Sequence, residues 1–104
     1  MLSETLKNQF DEQIKTHPVV LFMKGNALFP RCGFSAKALE LLKPFGPVFT
    51  VDVLADNDVR EGIKQYSNWP TIPQVYIHGQ FVGGSDIVVE LAARGELEAL
   101  IKKS

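Results

Sequence analysis

Apolar residues recur every four positions at the start of the chain, at Leu2, Leu6, Phe10 and Ile14. At 3.6 residues per turn these positions share one helix face, so the spacing predicts an amphipathic helix ending near Lys15, stopped by Pro18. Val19-Val20-Leu21-Phe22-Met23 is apolar without interruption, which predicts a strand buried on both faces. Lys24 to Arg31 reads as a loop, with Gly25 and Pro30 in it. A second helix is expected from Gly33, burying Phe34, Ala38, Leu41, Leu42 and Phe45, with Pro44, Gly46 and Pro47 ending the segment. The β-branched run Val48–Val53 predicts a second strand. Asp58 and Glu61 have the spacing of a capping box and predict a short helix reaching Tyr66. Gln74–Ile77 and Gln80–Val82 flank His78-Gly79, which predicts a hairpin. Gly83-Gly84 leads into a helix from Ser85-Asp86 with Ile87, Val88 and Leu91 facing inward. Gly95 breaks it, and Leu97, Leu100 and Ile101 predict one more helical piece.

The resulting order is α-β-α-β-α-β-β-α-α. A right-handed strand–helix–strand crossover places the first two strands parallel and adjacent or nearly so, and the hairpin completes a four-stranded mixed sheet flanked by helices. With extra N-terminal and C-terminal helices, this α/β pattern resembles the thioredoxin-like fold. No repeat, low-complexity tract or linker divides the chain, so one domain is expected over residues 1–104.

Composition narrows the function. Hydrophobic residues make up 45% and charged residues 22%, with a net charge of −1. That balance argues against a broad phosphate-binding surface and gives no reason to expect nucleic acid. No apolar run approaches membrane-spanning length, so no membrane partner is expected. The N-terminus lacks the regions of a signal peptide. One cysteine cannot build a disulfide framework, so a reducing, cytoplasmic setting is expected. A removed organelle transit peptide stays open as an alternative.

The single cysteine is the strongest chemical signal. Cys32 falls between the apolar strand and the Gly33 helix, where free backbone N–H groups and the helix dipole favour a thiolate. A buried structural cysteine is the alternative reading. His17 and His78 fall on a helix–strand loop and a hairpin turn and read as surface residues rather than metal ligands. Tyr66 reads as half-buried, and Trp69 as packing that shapes the site.

Three motifs accompany the cysteine: Cys32-Gly33-Phe34-Ser35, Trp69-Pro70-Thr71-Ile72-Pro73-Gln74 and Gly83-Gly84-Ser85-Asp86, with Lys24-Gly25 just upstream. Together, in this order and spacing, they resemble the CGFS class of monothiol glutaredoxins across nearly the whole chain. Ser35 stands where dithiol relatives carry a resolving cysteine, and a hydroxyl cannot close a disulfide. What remains is a thiolate able to form a mixed disulfide with glutathione or to ligate a soft metal. A [2Fe–2S] cluster needs four ligands, usually thiolates, and this chain supplies one. The resemblance implies a cluster shared by a homodimer, with two glutathione molecules supplying the remaining ligands.

The resemblance also implies roles for individual residues. Lys24 would stabilise the Cys32 thiolate and hold a glutathione carboxylate, against the alternative of a solvated loop lysine. Arg60, expected in the first turn of its helix, would clamp the glycyl carboxylate. Ile72-Pro73 reads as a cis-proline turn whose backbone pairs with the cysteinyl part of glutathione. At Ser85 and Asp86, helix N–H groups would bind the γ-glutamyl carboxylate and the Asp86 side chain its ammonium. Many family members carry cysteine at the Ser85 position, so this chain lacks that second thiol. Gly33 leaves room beside the sulfur. Phe34 is expected in the core, with shielding of a cluster as its other role.

The leading expectation is a carrier that takes a cluster from a scaffold and passes it to recipient proteins, with BolA-like proteins as partners implied by the resemblance. The alternative is a glutathione-dependent monothiol oxidoreductase that removes glutathione from protein mixed disulfides. The long Lys24–Arg31 loop, of the form seen in the CGFS class, and the absence of Pro-Tyr after the cysteine favour the carrier with at most weak oxidoreductase activity.

Overall fold

The structure is a computed structural model and describes residues 2–103. Helices α1 (Glu4–Thr16), α2 (Gly33–Leu42), α3 (Asn57–Ser67), α4 (Ser85–Ala93) and α5 (Leu97–Lys102) surround four strands, β1 (Val19–Met23), β2 (Phe49–Asp52), β3 (Gln74–Ile77) and β4 (Gln80–Gly83). A 3₁₀ turn, Lys43–Phe45, follows α2. The sheet order is β2-β1-β3-β4. β1 runs parallel to β2 and antiparallel to β3, and β3 pairs antiparallel with β4. The chain has the thioredoxin-like fold that its pattern of elements implies.

The apolar run of β1 is explained by helices on both sides of it. Val19, Leu21 and Met23 pack with Ala38, Leu39 and Leu42 of α2, Val88 of α4, and Leu97 and Ile101 of α5. Val20 and Phe22 belong to the opposite layer, with Phe10 and Ile14 of α1 and Val59 and Ile63 of α3. The period of two along a strand thus divides the interior into two cores. β3 repeats the division, Val75 and Ile77 on one side and Tyr76 on the other. Phe10 anchors its layer with edge-on contacts to Phe22 and Tyr66, at centroid separations of 5.5 and 5.4 Å.

Local signals set the ends. Ser3 caps α1 by accepting from the Leu6 N–H. Asn68 closes α3 in the left-handed conformation. His78 and Gly79 both have positive φ, 49° and 81°, which is the type I′ geometry that suits a two-residue hairpin. His78 also ties the hairpin to α5, its Nε2 donating to the Ile101 carbonyl at 2.7 Å. His17 stacks on Phe49 with ring centroids 3.9 Å apart.

Several expectations need correction. Phe34 is 68% exposed rather than in the core. The buried stripe of α2 runs through Ser35, Ala38, Leu39 and Leu42, and Phe34, about 100° round the helix from Ser35, points away from it. Leu41 and Phe45 are only half-buried against that core, and Ile87 of α4 is half-buried outside it, whereas Val88 and Leu91 face inward as expected. The Asp58–Glu61 capping box does not form. Asp56 is the cap, its Oδ1 accepting from the N–H groups of Asp58 at 2.9 Å and Val59 at 3.4 Å. The helix therefore starts at Asn57, and Arg60 is its fourth residue. The second strand is shorter than Val48–Val53 by one residue at each end.

Candidate functional site

Cys32 is the N-cap of α2 and sits at the mouth of a groove of about 510 Å³. Lys24, Phe34, Arg60, Lys64, the segment Pro70–Pro73, and Gly84, Ser85 and Asp86 line the rest. Every residue singled out from the sequence as a candidate ligand contact therefore lies on one surface. The contributing elements are the end of β1, the start of α2, the middle of α3, the turn before β3 and the start of α4.

The thiol is held by its neighbours. The Ser35 side chain is fully buried, and its Oγ accepts from the Lys24 N–H at 3.0 Å. Ser35 thus ties α2 to the end of β1, a structural role beyond its inability to resolve a disulfide. Burial alone would push the Cys32 thiol up. The backbone N–H groups of Ser35 and Phe34, the Ser35 hydroxyl and the Lys24 charge outweigh burial and hold it below its ordinary value. Cys32 is partly exposed, so the sulfur is both activated and reachable.

The loop entering the site is built rather than slack. The Asp52 carboxylate Oδ1 accepts from the N–H groups of Gly25 and Leu54, each at 2.9 Å. Asn26 Oδ1 accepts from Leu28 at 3.0 Å and Phe29 at 2.9 Å. The Arg31 N–H donates to the Lys24 carbonyl at 2.8 Å, and Gly25 and Pro30 form an isolated bridge. Gly25, at φ 91°, lies where a Cβ would come within 2.5 Å of the Phe29 carbonyl oxygen. Only glycine fits that close approach.

On the far wall, the Nε of Arg60 is buried without a hydrogen-bond partner among the described residues. Lys24 and Arg60 make no ion pair among those residues, while Lys64 meets Glu61 at 3.5 Å. Lys24, Arg60 and Lys64 against Asp86 give the groove an excess of positive charge. Across from Arg60, α4 opens at Ser85 with Gly84 as its N-cap and no side chain on its first N–H groups, an arrangement suited to a carboxylate. The Ile72–Pro73 peptide bond is cis, and both residues line the groove. The buried Gln74 side chain braces this segment, donating to the carbonyls of Trp69 at 3.1 Å and Thr71 at 3.3 Å.

Thr71 and Lys64 also line the groove, although neither was singled out from the sequence. Lys64 is one turn beyond Arg60 on the same face of α3, so that spacing was the signal available. Thr71 lies inside a motif already recognised. Trp69 is 37% exposed and packs on Phe81 at a centroid separation of 5.6 Å. Tyr66 is half-buried and donates to Asp11 Oδ1 at 2.6 Å, away from the groove. Among the described residues no group of three or more His, Cys, Asp or Glu side chains gathers to hold a metal ion. No helix among them is long and apolar enough to cross a membrane.

Comparison with known proteins agrees with this geometry. The Glutaredoxin family model matches residues 19–82, which run from β1 into β4 and contain the Cys32 and Pro73 motifs. The chain belongs to the glutaredoxin family. It is 52% identical over 97 residues to an uncharacterized monothiol glutaredoxin, ycf64-like, of Synechocystis, covering 92% of this chain and 91% of that one. Glutaredoxin 4 of Escherichia coli is 44% identical over 104 residues, covering 99% and 90% of the two chains. The solution structure of reduced poplar apo GrxS14 superposes with a TM-score of 0.84 at 46% identity, covering 94% of this chain and 91% of that one. Within the glutaredoxins the chain groups with the monothiol members, and Cys32 is its one thiol.

Proposed function

We propose that this glutaredoxin binds glutathione in the groove and, as a homodimer, carries a glutathione-ligated [2Fe–2S] cluster from a scaffold to recipient proteins. The observation that carries the reading is the buried, unpartnered Nε of Arg60 in the same groove as the activated thiol of Cys32. A buried donor without an acceptor is costly, and a planar guanidinium matches a carboxylate. Glutathione presents two carboxylates, an ammonium and a peptide backbone. Arg60 would take the glycyl carboxylate, with Lys24 beside it. The free N–H groups at Ser85 would take the γ-glutamyl carboxylate, and Asp86 the ammonium. The backbone of Ile72, next to Pro73, would pair with the cysteinyl residue.

The cluster is cargo in this reading. This chain offers one thiolate, from Cys32, so the other ligands must come from outside it: a second copy and two glutathione thiolates complete four. The partners that family membership implies are scaffold and recipient proteins and BolA-like proteins. A cluster held partly by exchangeable glutathione suits transfer.

The test is anaerobic reconstitution with iron and sulfide, with and without glutathione. The expected result is a [2Fe–2S] visible spectrum that requires glutathione, at about one cluster per two chains. Cys32→Ser abolishes it with little loss of stability. A normal cluster on the Cys32→Ser protein, or no cluster on folded, reduced wild type, overturns the carrier reading. The partly exposed thiol held below its ordinary value supports a second reading, glutathione-dependent removal of glutathione from protein mixed disulfides by Cys32 alone. A deglutathionylation assay decides that one.

A further inference from the structure

The surface surrounding the groove on its Cys32 side has features that glutathione binding does not require. Leu28, Phe29 and Phe34 are 83, 69 and 68% exposed, the three most exposed large apolar side chains of the described residues. Their exposure does not follow from a slack loop. The backbone from Lys24 to Arg31 is fixed by Asp52, Asn26, the Gly25–Pro30 bridge and the Arg31–Lys24 hydrogen bond. A backbone ordered this thoroughly displays its apolar tip at little further entropic cost when something binds.

Along the chain, the stretch that carries the tip holds charges of one sign, with Asp52 under Gly25 and Glu40 beside Lys37 as the acidic neighbours. Between Lys24 and Leu39 there are three basic residues, Lys24, Arg31 and Lys37, and no acidic residue, in a chain whose net charge is −1. Arg31 is exposed and makes no ion pair among the described residues. Lys37 has only a 3.6 Å exposed contact with Glu40. An apolar centre inside a basic rim is complementary to an apolar surface inside an acidic one.

We propose that Leu28, Phe29 and Phe34, rimmed by Arg31 and Lys37, form a docking surface for an acidic polypeptide partner with apolar side chains beside the sulfur that Cys32 engages. Glutathione occupies the groove on the Arg60 side of the thiol. The polypeptide approaches over the loop, at Leu28 and Phe29, and over the start of α2, where Phe34 also lines the edge of the groove. The surface selects which macromolecular sulfur reaches Cys32, while the groove selects the small thiol. The inference rests on Cys32 being the reacting sulfur and is independent of cluster binding.

The test uses a reaction that needs only the reduced protein. Synthetic peptides carry a central cysteine as its mixed disulfide with thionitrobenzoate. The Cys32 thiolate attacks the peptide sulfur, a Cys32–peptide disulfide forms, and the bond to thionitrobenzoate breaks. That thiolate leaves with the electron pair and is followed by its absorbance. Cys32 is oxidised and the activated disulfide reduced, with no further reagent. One peptide flanks its cysteine with acidic residues and leucines. A second replaces the acidic residues by basic ones, and a third replaces the leucines by serines. The thionitrobenzoate disulfide of N-acetylcysteine serves as the small reference.

In low salt the acidic, leucine-bearing peptide is expected to react about tenfold faster than the basic one, relative to each peptide's reaction with free cysteine. The ratio should shrink towards one as added salt shortens the screening length to about 3 Å. Arg31→Glu should lower the acidic-to-basic ratio at least about threefold. Leu28→Ser with Phe29→Ser should slow the leucine-bearing peptide to the rate of the serine one and leave the N-acetylcysteine reference unchanged. These side chains are solvent-exposed, so the fold should be retained, as circular dichroism will show. Acidic and basic peptides reacting within about twofold of each other in low salt, or a preference indifferent to Arg31→Glu, overturns the electrostatic part. A leucine preference that survives the loss of Leu28 and Phe29 overturns the apolar part.

Discussion

Cys32 shows how position makes a thiol reactive. The same side chain on the buried stripe of α2 would be inert; one residue before the helix it meets N–H groups, a hydroxyl and a lysine charge. Its alkylation by iodoacetamide should therefore rise with pH through a midpoint below that of a free cysteine, about 8.5. A midpoint at or above the free value would contradict the site's electrostatics. Tyr66 behaves in the opposite sense. Burial and then the Asp11 carboxylate push its phenol up to about 12. A phenol raised in the fold adds stability below its unfolded value of about 10, and this is lost as pH climbs towards the folded value. Urea midpoints measured at alkaline pH should fall less for Tyr66→Phe than for wild type across that window. Equal falls would show that the Tyr66–Asp11 pair does not couple to folding.

At the scale of elements, legibility followed the reach of the forces involved. The strands, the crossover and the start of α2 at Gly33 could be read because periodicity and Gly/Pro punctuation are local. The cap of α3 could not be chosen from sequence alone. Asp56 and Asp58 are both plausible caps, and the chain's path out of β2 decides between them. Asp56→Ala should cost about 1 kcal/mol in urea unfolding, and Asp58→Ala much less; the reverse order would restore the capping box. Phe34 was misplaced for a related reason. An aromatic one position off the buried stripe looks like core until the sheet's end is located. Most groove residues were legible within motifs, but Arg60 lies outside them and Lys64 was not singled out, and only the family resemblance, not the local pattern, brought the rest together. Arg60, Pro73 and Ser85 are brought to Cys32 by strand order, and the unpartnered Nε of Arg60 is a three-dimensional fact with no local signature.

At the scale of the molecule, the sheet separates two cores, and the site spans both. The layer built on Phe10 supports α3 with Arg60 and also contains Ile72. The layer built on Leu42 supports α2 with Cys32 and α4 with Ser85. Phe10→Ala should cost about 3–5 kcal/mol and Leu42→Ala about 2–5 kcal/mol. Their functional effects should diverge in folded protein. Phe10→Ala should weaken glutathione binding by calorimetry with little change in alkylation of Cys32, whereas Leu42→Ala should disturb the alkylation profile. Matching effects from both would mean the two layers act as one. The groove is therefore a vice whose jaws stand on separate foundations. Its aperture is a difference between two packings, so heat, pressure or drift in the Phe10 layer alone can retune the grip on a ligand while the reactive atom keeps its character.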